Sequence, residues 1–477
     1  MDTLTSIGTP DLLGLLERQR RGFEASPFPT ASERRNNLAK LAASIQLRKS
    51  DIVAAVSADF GNRTAFETVM TEITPVLSAI KFARKHLMDW MKPSRRSTAL
   101  TFLPAHNHVE YTPLGVIGII AAWNYPIYLT LGPLVDALAA GNRAMIKPSE
   151  LSPRFSVLLQ DMLGECFGED EVAVVLGELD VAQKFCALPF DHMLFTGSTN
   201  VGRDVMRAAA QNLVPVTLEL GGKSPVIVAE DYDVAKAAIS VAFGKLCNGG
   251  QACVAPDYAL IPTKSAALFA NQVIVAAERM YPELEGNKDY TAIISPRHRA
   301  RLGEMVAEAE MRGAKVLRHK KAANMPDDAA YFPPTVVLNP PLDSRLMREE
   351  VFGPILSVIS VDTLDQAIRF INDRPRPLAL YAFTSDRSVE RRVLDRTISG
   401  GVGINTTLVH VARDDLPFGG VGPSGMGCYH GRDGFRLFSH IRGIHKAGAW
   451  SALEILKAPY RRRANLAMRF VGGCCEK

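Results

Sequence analysis

The chain predicts an α/β protein built from two parallel-sheet domains and a small further β element, and three observations lead there. Short runs that are apolar on both faces alternate with helical patterns through most of its length, which is the mark of parallel sheets covered on both sides. At 477 residues it exceeds what one hydrophobic core usually supports. The stretch from Ser97 to Pro113 has a different texture, β-branched and aromatic residues broken by Pro104 and Pro113, consistent with extended strands.

Taken in order, Pro10 to about Lys92 is helical, with leucines and alanines at three- and four-residue spacing, and reads as scaffold. Thr30-Ala-Ser-Glu33 forms a capping box ahead of Leu38, Leu41 and Ile45. His106 and His108 share one face of a strand, but no third ligand accompanies them, so a polar edge is expected and no metal site. Leu114 to Trp123 is an apolar strand run, followed by a helix to Ala140. Strands are then expected at 144–147, 173–176, 192–196, 214–220 and 225–229, with a helix at 153–167. A second α/β run follows Gly222, with helices at 235–247, 266–281, 296–311 and 364–371 and strands at 258–262, 314–317, 335–338 and 356–360. From Ser399 to Gly427 glycine dominates, which implies tight turns and close backbone approach.

Composition narrows the classes. With 47% hydrophobic and 22% charged residues and a net charge of +5, the chain has the make-up of an ordinary globular enzyme. It lacks the basic stripe interleaved with aromatics that nucleic-acid binding needs; Arg461-Arg462-Arg463 is its one local basic cluster. Seven cysteines without a Cys-x-x-Cys pair point to a reducing compartment. Met1 to Gly8 has neither the basic start nor the apolar core of a signal peptide, and the apolar run at 114–123 is too short to span a bilayer, so a cytoplasmic protein with no membrane anchor is expected. Cys474-Cys475 lies in a terminus with no hydrophobic tail and reads as disordered rather than lipidated.

Two phosphate motifs fail on inspection. Gly420-Val-Gly422-Pro-Ser-Gly425 has the dinucleotide spacing, but Pro423 and the missing strand-to-helix context remove the helix amino terminus that must hold a pyrophosphate. Gly197 to Gly202 has the spacing of a P-loop, yet Arg203-Asp204 stands where Lys and Ser/Thr are required. Gly197-Ser198, following a strand and opening a helix, still offers backbone N–H groups and a hydroxyl to a pyrophosphate.

Phe243-Gly-Lys-Leu-Cys-Asn-Gly-Gly-Gln-Ala-Cys253-Val-Ala-Pro256 surrounds a thiol with small residues, as covalent catalysis requires. Alone, this window describes a buried structural cysteine better than a nucleophile. Its company decides. Trp123-Asn-Tyr-Pro126, Lys147-Pro-Ser-Glu150, Glu219-Leu-Gly-Gly-Lys223, Gly250-Gln-Ala-Cys253, Glu349-Glu-Val-Phe-Gly-Pro354 and Leu416-Pro-Phe-Gly-Gly420 together resemble the aldehyde dehydrogenase superfamily in identity, order and spacing. Tyr125, Cys253-Val-Ala-Pro-Asp-Tyr258, Pro377-Leu-Ala-Leu-Tyr381 and Gly425-Met-Gly-Cys-Tyr-His-Gly431 resemble its class 3 branch, bacterial coniferyl aldehyde dehydrogenases in particular.

The chemistry follows from the residue types. A Cys253 thiolate attacks an aldehyde, the Asn124 amide and the Cys253 N–H hold the oxyanion, and Glu219 activates water on the thioester. An unpaired carboxylate such as Glu219 in an apolar run is hard to justify structurally. The resemblance implies NAD, with NADP possible, on Trp123, Lys147, Glu150, Gly197, Ser198, Leu220, Gly221, Glu350 and Phe352. It implies Tyr125, His410 and Phe418 around the substrate, no metal, and a homodimer. It further implies a cofactor domain over 1–96 and 114–221, a catalytic domain over 222–423, and an oligomerisation element of 97–113 with 440–450. Residues 424–439 would return to the cofactor domain and 451–477 form a tail. A fatty aldehyde dehydrogenase, an acylating enzyme using coenzyme A, and a non-catalytic relative are the rival readings. Glu219 argues for water as acceptor, and the joint presence of Asn124, Lys147, Glu219 and Cys253 argues for catalysis. Cys247 reads as packing, with a disulfide to Cys253 as the alternative.

Overall fold

A computed structural model of the chain describes residues 11–99, 102–326, 329–448, 457–459 and 468. Residues 1–10, Arg461-Arg462-Arg463 and Cys474-Cys475 lie outside the described residues. Helices Leu12–Ala25, Ala31–Leu47, Lys49–Phe60 and Thr74–Trp90 occupy the amino-terminal stretch. The capping box forms as expected: Glu33 N donates to Thr30 Oγ1 at 3.3 Å and Thr30 N to Glu33 Oε2 at 2.6 Å. Leu38, Leu41, Ile45, Ile52, Val76, Ile80 and Leu87 form the buried stripe. One irregularity was not legible: Ala65–Thr68 runs into a π-helical turn at Val69–Ile73, a distortion that tends to occur at functional sites.

Two sheets carry the architecture. In the first, six strands lie in the order Gly425–Met426, Val216–Leu220, His192–Gly197, Val116–Ile120, Arg143–Lys147, Val172–Val174. All pair in parallel except Gly425–Met426, which runs antiparallel to Val216–Leu220. The chain starts at Val116–Ile120, builds outward on one side, then returns to add His192–Gly197 on the other, so a switch point lies between these two strands. In the second, seven strands lie in the order Lys315–Arg318, Thr335–Leu338, Ile355–Val361, Pro256–Pro262, Ser224–Val228, Ala379–Phe383, Gly401–Ile404, with only the first pairing antiparallel. The chain passes from one sheet to the other between Leu220 and Ser224.

Ala379–Phe383 and Gly401–Ile404 are strands that sequence pattern did not disclose. The first is five residues long and buried throughout, too short to show a period, and the second carries two glycines, which weigh against a strand. The third sheet, antiparallel, joins Ser94–Arg96, His106–Pro113 and Ser439–Lys446. It begins before the expected Ser97 because Ser94-Arg-Arg96 is polar and gives no β signal. His108 Nε2 faces Glu110 at 3.4 Å, and no group of three or more metal-ligating side chains occurs among the described residues. No helix among the described residues is long and apolar enough to cross a membrane.

Candidate active site

The carboxyl edge of the six-stranded sheet gathers most of the residues singled out above. Register places Ile120 level with Lys147 and with Phe195, Thr196 with Glu219, and Gly197 with Leu220. Lys147 is 2% exposed, and its ammonium donates to Pro148 O at 2.8 Å. Burial pulls its pKa down, opposed by the charges of Glu150 and Glu178. An ammonium carries three donors, so this one is under-satisfied by protein alone and suits a hydroxyl- or phosphate-bearing ligand. Beyond Gly197, Ser198 caps helix Thr199–Ala210 by accepting from Val201 N at 3.4 Å, so that helix opens its amino terminus onto the same edge. Glu150 is exposed.

Cys253 comes from the second sheet. Helix Val234–Leu246 ends at Cys247, and Asn248, Gly249 and Gly250 follow with φ of 54°, 60° and 75°, turning the chain back toward strand Pro256–Pro262. Gly250 cannot be replaced cheaply, since a Cβ there would lie 2.3 Å from both Gly353 C and Gly353 O. That contact ties the cysteine loop to the Glu349–Pro354 segment. Within the segment Glu350 reaches Gly221, where a Cβ would fall 1.9 Å from Glu350 Oε2. Phe352 adopts φ 49°, a costly conformation for an aromatic residue, and its ring meets Trp123 edge-on at 5.4 Å.

The electrostatics are those of a dry site. Glu219 is 3% exposed, neither of its carboxyl oxygens has a hydrogen-bond partner, and burial raises its pKa well above the ordinary range. Glu350 is pushed up to about 8 by burial and by Asp257, and its Oε1 also has no partner. Cys253 keeps a partly solvent-accessible side chain, yet burial, then the neighbouring Glu350 and Glu219, push its thiol up to about 12. Burial thus favours the protonated form of all three groups. Asn124, 3% exposed, donates its Nδ2 to Gln251 O at 3.1 Å, which leaves the second N–H of that amide uncommitted.

The three expected substrate residues are distributed less simply. The Tyr125 hydroxyl stands 4.0 Å from Cys247 Sγ, and its ring lies under the Arg63 guanidinium at 5.0 Å. Phe418 stacks on His430 at 5.4 Å and meets Tyr429 edge-on at 5.8 Å. His410 meets Tyr381 edge-on at 5.7 Å; burial lowers its pKa to about 4, and neither ring nitrogen has a partner. The Gly420–Gly425 motif is a turn, with Val421 N donating to Ser424 Oγ at 2.9 Å, and it leads into a strand. Its role is to hold the Glu219 strand: Leu220 N donates to Ser424 O at 3.1 Å.

Several residues at the site went unread in the sequence. Tyr381 donates its hydroxyl to Val254 O at 2.6 Å, beside the cysteine. Tyr429 is fully buried with an unpartnered hydroxyl, and its electrostatic neighbours include Glu219 and Cys253. Most unexpected, the stretch taken for scaffold sends Arg63, Glu67 and Glu72 beneath Asn124 and the cysteine loop. Arg63 and Glu72 form an ion pair at 2.5 Å with both side chains wholly excluded from solvent. Glu72 Oε2 also accepts from Ile127 N and Tyr128 N, at 2.8 and 3.2 Å, capping the helix after Asn124. Glu67 accepts from Asn248 N at 3.1 Å and from Thr291 Oγ1 at 2.6 Å. Two carboxylates set among the β-branched residues of Glu67–Pro75 were the available signal, since buried charges demand partners.

The model of the aldehyde dehydrogenase family matches residues 15–444. The chain is 48% identical to the probable coniferyl aldehyde dehydrogenase of Pseudomonas aeruginosa, over 94% of each chain. It is 42% identical to the coniferyl aldehyde dehydrogenase of a Pseudomonas sp., over 97% of this chain and 94% of the other. It is 41% identical to the 4,4'-diaponeurosporen-aldehyde dehydrogenase of Staphylococcus aureus, over 88% and 90%. Among solved structures it resembles the substrate-bound state of Staphylococcus aureus AldH, with a TM-score of 0.91 and 37% identity over 97% of this chain and 100% of that one.

Proposed function

The chain belongs to the aldehyde dehydrogenase family and is an oxidoreductase that converts aldehydes to acids; from that premise we propose that it acts on an aromatic, coniferyl-type aldehyde, with Cys253 as nucleophile and Glu219 as general base. The observation that carries the hydrolytic step is Glu219, a buried carboxyl with no partner at either oxygen and within electrostatic reach of the Cys253 thiol. Such a group is costly in the resting fold and gains its partner when water and a thioester are present.

In this reading the partly solvent-accessible Cys253 thiol gives its proton to solvent water and Sγ bonds to the aldehyde carbon, turning the carbonyl oxygen into an oxyanion. The free N–H of the Asn124 amide and the Cys253 backbone N–H stabilise that charge. A bound nicotinamide would supply the hydride acceptor, and Cys253 would then hold the acyl group as a thioester. Glu219, acting as the carboxylate, then takes a proton from water as the water oxygen attacks the thioester carbon, the C–S bond breaks, and the acid product and the Cys253 thiolate separate. The cofactor is NAD(P), the family's redox partner. The under-satisfied Lys147 ammonium, the helix amino terminus after Ser198, the unpartnered Glu350 Oε1 and the side-chain-free Gly221 all fit a dinucleotide along the sheet edge. Lys147, Glu150 and Ser198 would serve the ribose and phosphates, and Trp123, Leu220, Glu350 and Phe352 the nicotinamide end. A carboxylate at Glu150 favours NAD over NADP by repulsion of a 2′-phosphate.

The substrate assignment is supported by similarity to coniferyl aldehyde dehydrogenases at 42–48% identity and by the aromatic groups Tyr125, Phe418 and Tyr429. The Staphylococcus aureus relative favours a second reading, a long apolar aldehyde. We further assign the six-stranded unit to the cofactor and the seven-stranded unit to catalysis. The three-stranded element supports a homodimer, because among the described residues Ser439–Lys446 leaves one strand edge unpaired with Ile441 half exposed; a monomeric mass by light scattering would remove that assignment. A cytoplasmic location is consistent with free cysteines throughout the described residues. The deciding experiment measures NAD and NADP reduction with coniferyl aldehyde, benzaldehyde and a long-chain aldehyde, for the wild type and Cys253→Ala. Coniferyl aldehyde should show the highest kcat/KM with NAD, and Cys253→Ala should be inactive. Equal use of aliphatic substrates would defeat the substrate assignment, and undiminished turnover by Cys253→Ala the mechanism.

A further inference from the structure

The oxyanion donor and the nucleophile come from different sheets, Asn124 from the loop after Val116–Ile120 and Cys253 from the loop before Pro256–Pro262. A catalytic hydrogen bond to a developing oxyanion loses most of its effect if the donor drifts by about an ångström. Something must hold the two loops in register, and one side chain touches both. Asn248 is fully buried; its Nδ2 donates to Asn124 O at 2.9 Å and to Gln251 O at 3.1 Å. Gln251 O is the same carbonyl that receives the Asn124 amide at 3.1 Å, so Asn124, Asn248 and Gln251 close a ring of hydrogen bonds two residues before Cys253. The only other group on Asn124 O among the described residues is the Arg63 guanidinium, at a long 3.4 Å.

Asn248 is itself held with unusual thoroughness. Its N–H donates to Glu67 Oε1 at 3.1 Å, and its carbonyl accepts from Gln251 Nε2 at 2.9 Å. It adopts φ 54°, a conformation that asparagine tolerates better than other residues with a side chain. Gln251 is anchored in turn, donating to Ala292 O and accepting from Ile294 N, both at 2.9 Å. We infer that Asn248 is a positioning residue, which sets the Asn124 oxyanion donor against the Cys253 loop by bridging the Asn124 and Gln251 carbonyls. This rests on the reading of Asn124 as oxyanion donor and adds what keeps it in place.

Asn248→Gly is the informative variant. Glycine accepts the left-handed backbone, retains the N–H to Glu67 and the carbonyl to Gln251, and deletes only the bridging amide. The expected result is a fall in aldehyde kcat/KM of about 10- to 100-fold, somewhat less than the ~100- to 1,000-fold of losing an oxyanion donor outright in Asn124→Ala. The KM for NAD and the rate of Cys253 alkylation by iodoacetamide should stay within about threefold of wild type, which a general loosening of the loop would not allow. The double variant Asn124→Ala/Asn248→Gly should be no slower than Asn124→Ala, because Asn248 acts through Asn124. If Asn248→Gly does not fold, Asn248→Asp, which keeps the shape and loses both N–H donors, is read in the same cycle. An unimpaired Asn248 variant, or single effects that multiply in the double variant, overturns the inference while leaving the oxyanion reading intact. An unimpaired Asn124→Ala overturns both.

Discussion

Glu72→Leu is expected to destabilise the protein by about 4–7 kcal/mol, and the figure comes from what Glu72 touches. Its carboxylate and the Arg63 guanidinium are both excluded from solvent and pair at 2.5 Å. Removing one member of such a pair strands the other charge, which costs about 3–5 kcal/mol. The helix amino terminus at Ile127 and Tyr128 loses its acceptor as well, adding about 1–2 kcal/mol after partial relaxation. The double variant Arg63→Met/Glu72→Leu leaves no orphan charge and keeps an apolar contact to Phe60 and Tyr125, which the guanidinium now faces at 5.2 and 5.0 Å. It should be more stable than Glu72→Leu alone by about 2–4 kcal/mol, since an apolar replacement of a buried pair is close to neutral. The assay is the urea midpoint followed by far-UV circular dichroism, compared among the three proteins under one buffer. Midpoints are preferable to extrapolated free energies, because a chain with two large sheets need not unfold in one step. An unchanged midpoint for Glu72→Leu, or a double variant at least as unstable as the single one, would refute the view that the amino-terminal helices brace the site through this pair.

Glu219→Gln keeps the shape of the side chain and removes its basicity, so acylation should proceed and deacylation stall. Rapid mixing should show one equivalent of reduced cofactor per site, followed by turnover slowed about 100- to 10,000-fold; slow turnover with no burst would assign Glu219 to an earlier step. Asp136 is buried within helix Pro126–Ala140, which follows Asn124, and burial raises its carboxyl from 3.8 to about 8. The folded protein thus retains a proton that the unfolded chain releases, so this contribution to stability is whole below pH 3.8 and is lost as the pH rises toward 8. Asp136→Asn should remove the dependence, widening its stability advantage over wild type between pH 5 and about 8; a gap in urea midpoint that stays constant with pH would show that Asp136 does not titrate in this way.

The protonated resting state of the site gives the geometry a functional consequence. Glu219, Glu350 and Cys253 each hold a proton more firmly than in water because burial penalises their charged forms, and each anion would oppose the next. A thiol held near 12 is a poor nucleophile toward oxidants and adventitious electrophiles.

What the sequence determined alone was everything local or periodic. Apolar runs marked the parallel strands, Thr30 and Glu33 specified a helix start, and Pro423 ruled out a dinucleotide turn. Asn124, Lys147, Glu219 and Cys253 stood out because the windows that hold them together resemble one family, and Glu219 also because a charge is out of place in an apolar run. Ala379–Phe383 and Gly401–Ile404 were invisible for the converse reason: a short strand buried on both faces has no period, and glycine hides one. Only the tertiary structure could decide that Arg63, Glu67 and Glu72 lie beneath Asn124 and the cysteine loop, or that Asn248 bridges Asn124 and Gln251. A buried polar group is justified by the partner that satisfies it, and Ile127 for Glu72, Asn248 and Thr291 for Glu67, and Asn124 for Asn248 lie far along the chain, brought within hydrogen-bonding distance only by the fold.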